Sequence, residues 1–141
     1  MDTIYEAVIH GEPASKANSR RIVQHGNISR SIKSKKAIGY SKLFGAQTVT
    51  EDGLFNKDVA VYAKVWYCSR RPDLDESLIL DLLQDVAYAN DRQVRAKLIF
   101  WGKDKENPRT HLIVVPIEQV GELFDHTRDE HLVDWEEPRR K

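Results

Sequence analysis

From Ile4 to Ile9 apolar and polar residues alternate, and alternating or β-branched runs recur at Arg20 to Gln24, Val59 to Tyr67, Gln93 to Trp101 and Leu112 to Val115. Successive side chains of a strand point to opposite faces, so each of these runs predicts a strand. Gln24-His25-Gly26-Asn27 reads as a tight turn, with Ile28 to Ser31 returning as a short partner strand. The period changes to helical steps in Ser34 to Thr48, where Ala37, Ile38, Leu43 and Phe44 recur, and again in Glu76 to Tyr88. In the second stretch Leu78, Ile79, Leu82, Leu83, Val86 and Ala87 form one apolar stripe, with Asp81, Gln84 and Asp85 on the other side. That pattern predicts an amphipathic helix packed on a sheet. Beyond Pro116 a short helix is expected, with Ile117, Val120, Leu123 and Phe124 on one face. The order predicts an α/β (α+β) fold, a two-layer domain with a small mixed β-sheet packed on one main helix plus a second helix. Residues 1–124 are expected to form this single domain, and 125–141 a charged C-terminal tail that docks weakly or frays, with Trp135 as its anchor.

A chain of 141 residues, 40% hydrophobic and 31% charged, has enough apolar surface for one core without staples. A membrane span needs about 20 apolar residues, and no such run exists here. The start, Met1-Asp2-Thr3-Ile4-Tyr5-Glu6, lacks the basic region and apolar core of a secretory signal, and Cys68 is the only cysteine. A cytoplasmic protein is expected, with Cys68 as a small buried hydrophobe.

The formal net charge is zero, but it is unevenly spread. Residues 1–50 carry eight Lys or Arg against three acids, and the stretch from Pro13 to Thr50 holds all eight bases and no acid. Segregated charge of this kind is an electrostatic footprint for a polyanion, or else a solvated face balanced by the acidic C-terminal part.

The densest acids lie in Pro72-Asp73-Leu74-Asp75-Glu76, followed by Asp91 beyond the helix. Side chains two apart on an extended segment point the same way, so Asp73 and Asp75 share one volume. At about 4 Å two such charges repel by roughly 4 kcal/mol at an effective dielectric near 20. A hard divalent cation, Mg²⁺ or Mn²⁺, would offset that and keep open positions for a phosphate and a water. The residues also admit a purely local role, with Asp73 in a turn after Pro72, Asp75 as helix N-cap and Glu76 as a first-turn acid. No glycine-rich phosphate loop, paired CxxC or nucleophile elbow is present, so no small-molecule cofactor is expected. His126 and His131 stand five apart, a poor zinc spacing, and His10 and His111 read as structural.

The run Asp73 to Val94, DLDESLILDLLQDVAYANDRQV, resembles the signature of the RusA-like Holliday junction resolvases, the phage and prophage type of crossover junction endodeoxyribonuclease. Asp73 and Asp75 match that family's first acidic pair, Asp81 its helical Asp, and Asn90-Asp91-Arg92-Gln93-Val94 the element that opens the next strand. Gly11-Glu12-Pro13-Ala14-Ser15-Lys16 is similar to its Gly-x-Pro-x-x-Lys start, and Asp104 to Arg109 to segments before its final strand. The resemblance covers roughly residues 4 to 117.

It implies a homodimeric, Mg²⁺-dependent endonuclease that makes symmetric paired nicks in four-way or other branched DNA. Asp73, Asp75 and Asp91 would be the catalytic metal ligands, with Glu76 a further candidate. Lys16, Arg20, Arg21, Arg30, Lys33, Lys35, Lys36 and Arg92 would contact DNA. Three departures stand out: Glu76 replaces an Asn, Asn90 replaces an Asp, and the Lys usual near the helix start has no counterpart in Ser77-Leu78-Ile79-Leu80. Lys16 or Arg92 would then have to supply the missing cation. The alternatives are a DNA-binding or assembly protein that keeps the fold without catalysis, and an interaction domain with no nucleic acid. A geometric question stays open as well. A helix of about 13 residues would be about 20 Å long and carry Asp91 away from Asp73 and Asp75, unless it runs obliquely or the partner subunit supplies the third acid.

Overall fold

The structure is a computed structural model, and it describes residues 2–14, 20–25, 28–33, 35–47, 56–84 and 86–132. Its strands are β1 (Tyr5–His10), β2 (Arg20–His25), β3 (Ile28–Lys33), β4 (Val59–Tyr67), β5 (Val94–Lys103) and β6 (Arg109–Pro116). Its helices are α1 (Lys35–Gln47), α2 (Ser77–Leu83), α3 (Val120–His126) and α4 (Arg128–Leu132). Among the described residues β1, β6, β4 and β5 form a mixed sheet in that order, with β4 and β5 parallel and the other neighbours antiparallel, while β2 and β3 pair as a separate hairpin. This is the expected α+β domain.

β4, with sequence VAVYAKVWY, is buried along nearly its whole length because it lies inside the sheet and both its faces are covered. Val59, Val61, Ala63, Val65 and Tyr67 pack with Ala37, Tyr40 and Phe44 of α1 and with Leu78, Ile79 and Leu83 of α2. Ala60 and Tyr62 pack on the opposite face with Phe100, Ile113, Val115 and Leu123.

Several expectations need correcting. The buried stripe of α1 is Ala37, Tyr40 and Phe44, whereas Ile38 and Leu43 are exposed. Cys68 is exposed, and its backbone N–H donates to Glu12 Oε2 at 3.2 Å. Helix α2 stops at Leu83, well before Tyr88, because Gln84 turns extended and the Tyr88 hydroxyl donates back to the Leu80 carbonyl at 2.7 Å. Ala87 and Tyr88 still join the core, which is why the apolar pattern outlasts the helix.

Residues 125–132 are folded rather than frayed. Thr127 and His131 are buried, the Tyr62 hydroxyl donates to Glu130 Oε1 at 2.6 Å, and the buried Lys64 Nζ donates to the Glu130 carbonyl at 2.6 Å. Trp135 lies outside the described residues. No helix among the described residues is long and apolar enough to cross a membrane.

Candidate active site

The β4-to-β5 crossover builds an open cleft of about 290 Å³, lined by Ser77, Leu80 and Asp81 of α2, by Asp91, and by Val94 and Lys97 of β5. Its shape follows from two local devices. The first is the short helix, for at 1.5 Å per residue a helix of seven residues advances only about 10 Å and leaves Asp81 beside Asp91. Asp91 thus shares the cleft with Asp81 of the same chain, and neither Asp73 nor Asp75 is among the described residues that line it.

The second device is a register shift in β5, where Val94 pairs with Val59 but Ala96 pairs with Ala60. Arg95 is the extra residue, and its guanidinium lies 3.4 Å from Asp58. In a regular strand Val94 and Lys97 would point to opposite faces; the bulge turns both into the cleft.

The turn that presents Asp91 is held by its neighbours. Asn90 Oδ1 accepts from Arg92 N at 2.9 Å, while Gln93 Oε1 accepts from Ala89 N and Asn90 N, each at 2.9 Å. Gln93 Nε2 also donates to the Lys57 carbonyl at 2.7 Å. This reciprocal cap satisfies backbone N–H groups that a helical turn leaves open. Asn90 therefore has a structural task that its amide performs.

The acids of the loop before α2 are placed differently from one another. Asp73 is exposed and does not line the cleft. Asp75 Oδ1 accepts from Ser77 N at 2.9 Å, so this carboxylate serves the start of α2, and Asp75 is not among the described residues that line the cleft. Asp75 N donates to the Tyr67 hydroxyl at 3.3 Å. Glu76 Oε2 lies 3.6 Å from Lys97 Nζ, tying the head of α2 to β5. Burial raises the Tyr88 hydroxyl pKa, and the charges of Asp91 and Asp81 raise it further. Asp81, read from the sequence only as part of a motif, and Lys97, not singled out at all, are thus cleft residues.

Carboxylate oxygens are the hard donors that Mg²⁺ prefers, and Mg²⁺ is commonly held by one or two carboxylates while keeping several waters. Asp81 and Asp91 in an open cleft fit that chemistry. Among the described residues no group of three or more His, Cys, Asp or Glu side chains is placed to hold a metal ion.

The other resemblance motifs occupy defined places. Gly11 has φ 115°, a conformation that favours glycine, and a Cβ there would meet Leu43 Cδ1 at 3.0 Å. Its N–H donates to the Pro108 carbonyl at 2.9 Å, joining the N-terminal motif to the β5–β6 turn. In that turn Asp104 accepts from Arg109 Nη1 at 2.8 Å and from the N–H groups of Glu106 and Asn107 at 3.1 Å each.

Of the expected DNA contacts, Arg20 stands opposite Lys33 in the hairpin and Arg30 opposite Val23, with Arg21 opposite Ile32. Lys35 and Lys36 open α1, and Arg92 is exposed beside Asp91. Lys36 pairs with Glu12 at 3.5 Å. Two lysines in a first helical turn oppose the helix dipole, a local cost that the Lys36–Glu12 pair offsets only in part. Lys16 lies outside the described residues.

No family model matches the chain, and no curated protein matches it.

Proposed function

We propose that the protein is a metal-dependent endonuclease acting on branched DNA, four-way junctions included. The observation that carries this reading is the cleft lined by Asp81, Asp91, Lys97 and Ser77. The resemblance from Asp73 to Val94 and the acid-free basic stretch from Pro13 to Thr50 add support.

Asp81 and Asp91 would hold Mg²⁺, which Mn²⁺ could replace; Asp73, Asp75 and Glu76 remain candidates through the resemblance. Such an ion supplies charge neutralisation at a phosphoryl oxygen and a more acidic bound water. In the overall reaction a water oxygen forms a bond to phosphorus and the bond from phosphorus to a deoxyribose oxygen breaks. One proton of the water is released and the departing oxygen gains one. The carboxylates position the attacking water, and the hairpin and α1 cations neutralise neighbouring phosphates. Such contacts carry no sequence information, which suits recognition of branch shape. A four-way junction has twofold symmetry, so paired nicks ask for an isologous homodimer. The setting proposed is cytoplasmic.

The test compares a synthetic four-way junction with a linear duplex of the same sequence, in Mg²⁺, in Mn²⁺ and with chelator. Metal-dependent symmetric nicking of the junction alone is expected. Tight junction binding with no cleavage in either metal would replace this reading with that of a non-catalytic DNA-binding protein.

A further inference from the structure

We propose that Lys97 is the cation that receives a non-bridging oxygen of the scissile phosphate in the cleft, and that Glu76 holds its ammonium in place until the phosphate arrives. The inference rests on the nuclease reading and assigns to this site a residue that the sequence motif does not contain.

Three observations carry it. Among the described residues that line the cleft, Lys97 is the one cation. Without it, Asp81 and Asp91 would present only negative charge to a phosphodiester, which carries a negative charge itself. Its direction depends on the bulge at Arg95, because a regular β5 would send either Val94 or Lys97 to the far face. Bulges recur next to active sites, where they re-aim a side chain at the expense of ladder pairing.

The third observation is the loose pairing with Glu76. The distance of 3.6 Å is long for a charge-assisted hydrogen bond, and the Lys97 side chain is 49% exposed against 23% for Glu76. A half-exposed pair of this kind contributes little to stability, so exchanging the carboxylate for a phosphate oxygen costs little. Lysine suits such an exchange, since its ammonium is a compact charge with three donors on a flexible stem. The ammonium donates hydrogen bonds and keeps its proton; its contribution is to fix the phosphate in line with the attacking water and to offset charge on the phosphoryl oxygens.

The experiment uses the full chain with the four-way junction and compares Lys97→Met, Lys97→Arg and, as a control for lost charge on the same strand, Lys103→Met. Single-turnover cleavage at saturating DNA, junction affinity and Mn²⁺ affinity are measured separately, with the melting temperature as a check on folding. Lys97→Met is expected to slow cleavage at saturation by about 10²- to 10³-fold, the usual effect of removing one donor to a developing oxyanion. Junction affinity should fall only a few-fold. Mn²⁺ affinity should stay the same or rise, because a positive charge has left the neighbourhood of the carboxylates. Lys97→Arg should recover part of the rate, and Lys103→Met should cleave like the unaltered protein.

Lys97→Met cleaving at close to the unaltered rate would overturn the inference while leaving the nuclease reading in place. So would a Mn²⁺ affinity that falls in step with cleavage, because Lys97 would then be shaping the metal site. An unaltered protein that cuts the junction in neither metal would overturn the nuclease reading, and this inference with it.

Discussion

Asp81 and Asp91 come to one cleft from different elements, and among the described residues no side-chain hydrogen bond or ion pair offsets two like charges there. A bound cation would relieve that arrangement, which makes metal-dependent stability a direct measure of it. Saturating the site at about 100 times its dissociation constant should add about 2.7 kcal/mol to the unaltered protein. For a chain of this size that is a rise in melting temperature of about 5 to 10 °C. Asp81→Asn and Asp91→Asn should each abolish most of that rise in Mn²⁺ and leave the melting temperature in chelator equal or higher, as read by thermal scans with and without the metal. Asp75 calls for a different comparison, since its carboxylate already accepts from Ser77 N. Helix α2 is capped at Glu76 rather than at Asp75, so Asp75→Ala should cost about 1 kcal/mol through the lost hydrogen bond from Ser77 N, whereas Asp75→Asn keeps an acceptor and should cost only a few tenths. If Asp75→Asn nevertheless loses cleavage without losing stability, this residue acts on the metal as well as on the helix.

At the scale of elements, the C-terminal helix α4 is fastened by a cluster on the sheet face opposite the cleft. His111 Nδ1 lies 2.7 Å from Glu130 Oε1, and His111 Nε2 lies 2.7 Å from Glu6 Oε2. A neutral imidazole has one N–H and cannot donate to both carboxylates; the protonated ring can. Burial alone would lower the His111 pKa, but the hydrogen bonds to Glu130 and Glu6 outweigh it and hold the ring above its ordinary value of 6.5. Glu130 is shifted the other way, since bonds from His111 and Tyr62 overcome the effect of burial and keep its carboxyl below 4.5.

The raised His111 pKa gives stability that is complete below 6.5 and fades as pH rises through the folded-state value. The lowered Glu130 pKa gives stability that is complete above 4.5 and fades as pH falls through its own folded-state value. Docking of α4 should therefore be firmest between these limits. Hydrogen exchange at the His131 amide, which donates to the Thr127 carbonyl at 3.0 Å, reads this directly. After correction for intrinsic exchange, its protection should decline above neutrality, and His111→Gln should remove that decline.

The same elements mark how far the sequence could be read. Strand β4 was legible because a central strand is apolar on both faces, whereas the turn at Asp91 was not, since the run from Gln93 reads as a strand while Asn90 and Gln93 in fact cap a short turn. The end of α2 was not, since Val86 and Ala87 continue a helical pattern while the Tyr88 bond to Leu80 stops the helix. Lys97 stayed hidden for a similar reason: alternation along β5 assigns it a face only when the bulge at Arg95 is known, and that bulge is a property of pairing with β4. The packing of residues 125–132 was missed because it depends on Tyr62, Lys64 and His111, partners far away in sequence.

At the scale of the whole molecule, a net charge of zero conceals a division of labour that salt can expose. Arg20, Arg21, Arg30 and Lys33 all lie in the β2–β3 hairpin, where the local sequence offers no acid to pair with them. If these cations neutralise phosphates, binding is driven by release of counterions, and each contact contributes about −0.9 to the slope of log affinity against log salt. Replacing all four with Gln should reduce the slope by about 3 to 4 for each protomer bound and weaken linear and branched DNA alike, because phosphate contacts do not read shape. If the protein acts as the proposed homodimer, preference for the junction should survive the replacement, since it would come from the spacing and symmetry of two clefts. Fluorescence anisotropy titrations at several salt concentrations, with junction and duplex side by side, separate the two contributions. An unchanged slope would mean that the hairpin does not meet the backbone and that the acid-free stretch is a solvated face. A slope that falls together with junction preference would mean instead that the hairpin itself reads the branch.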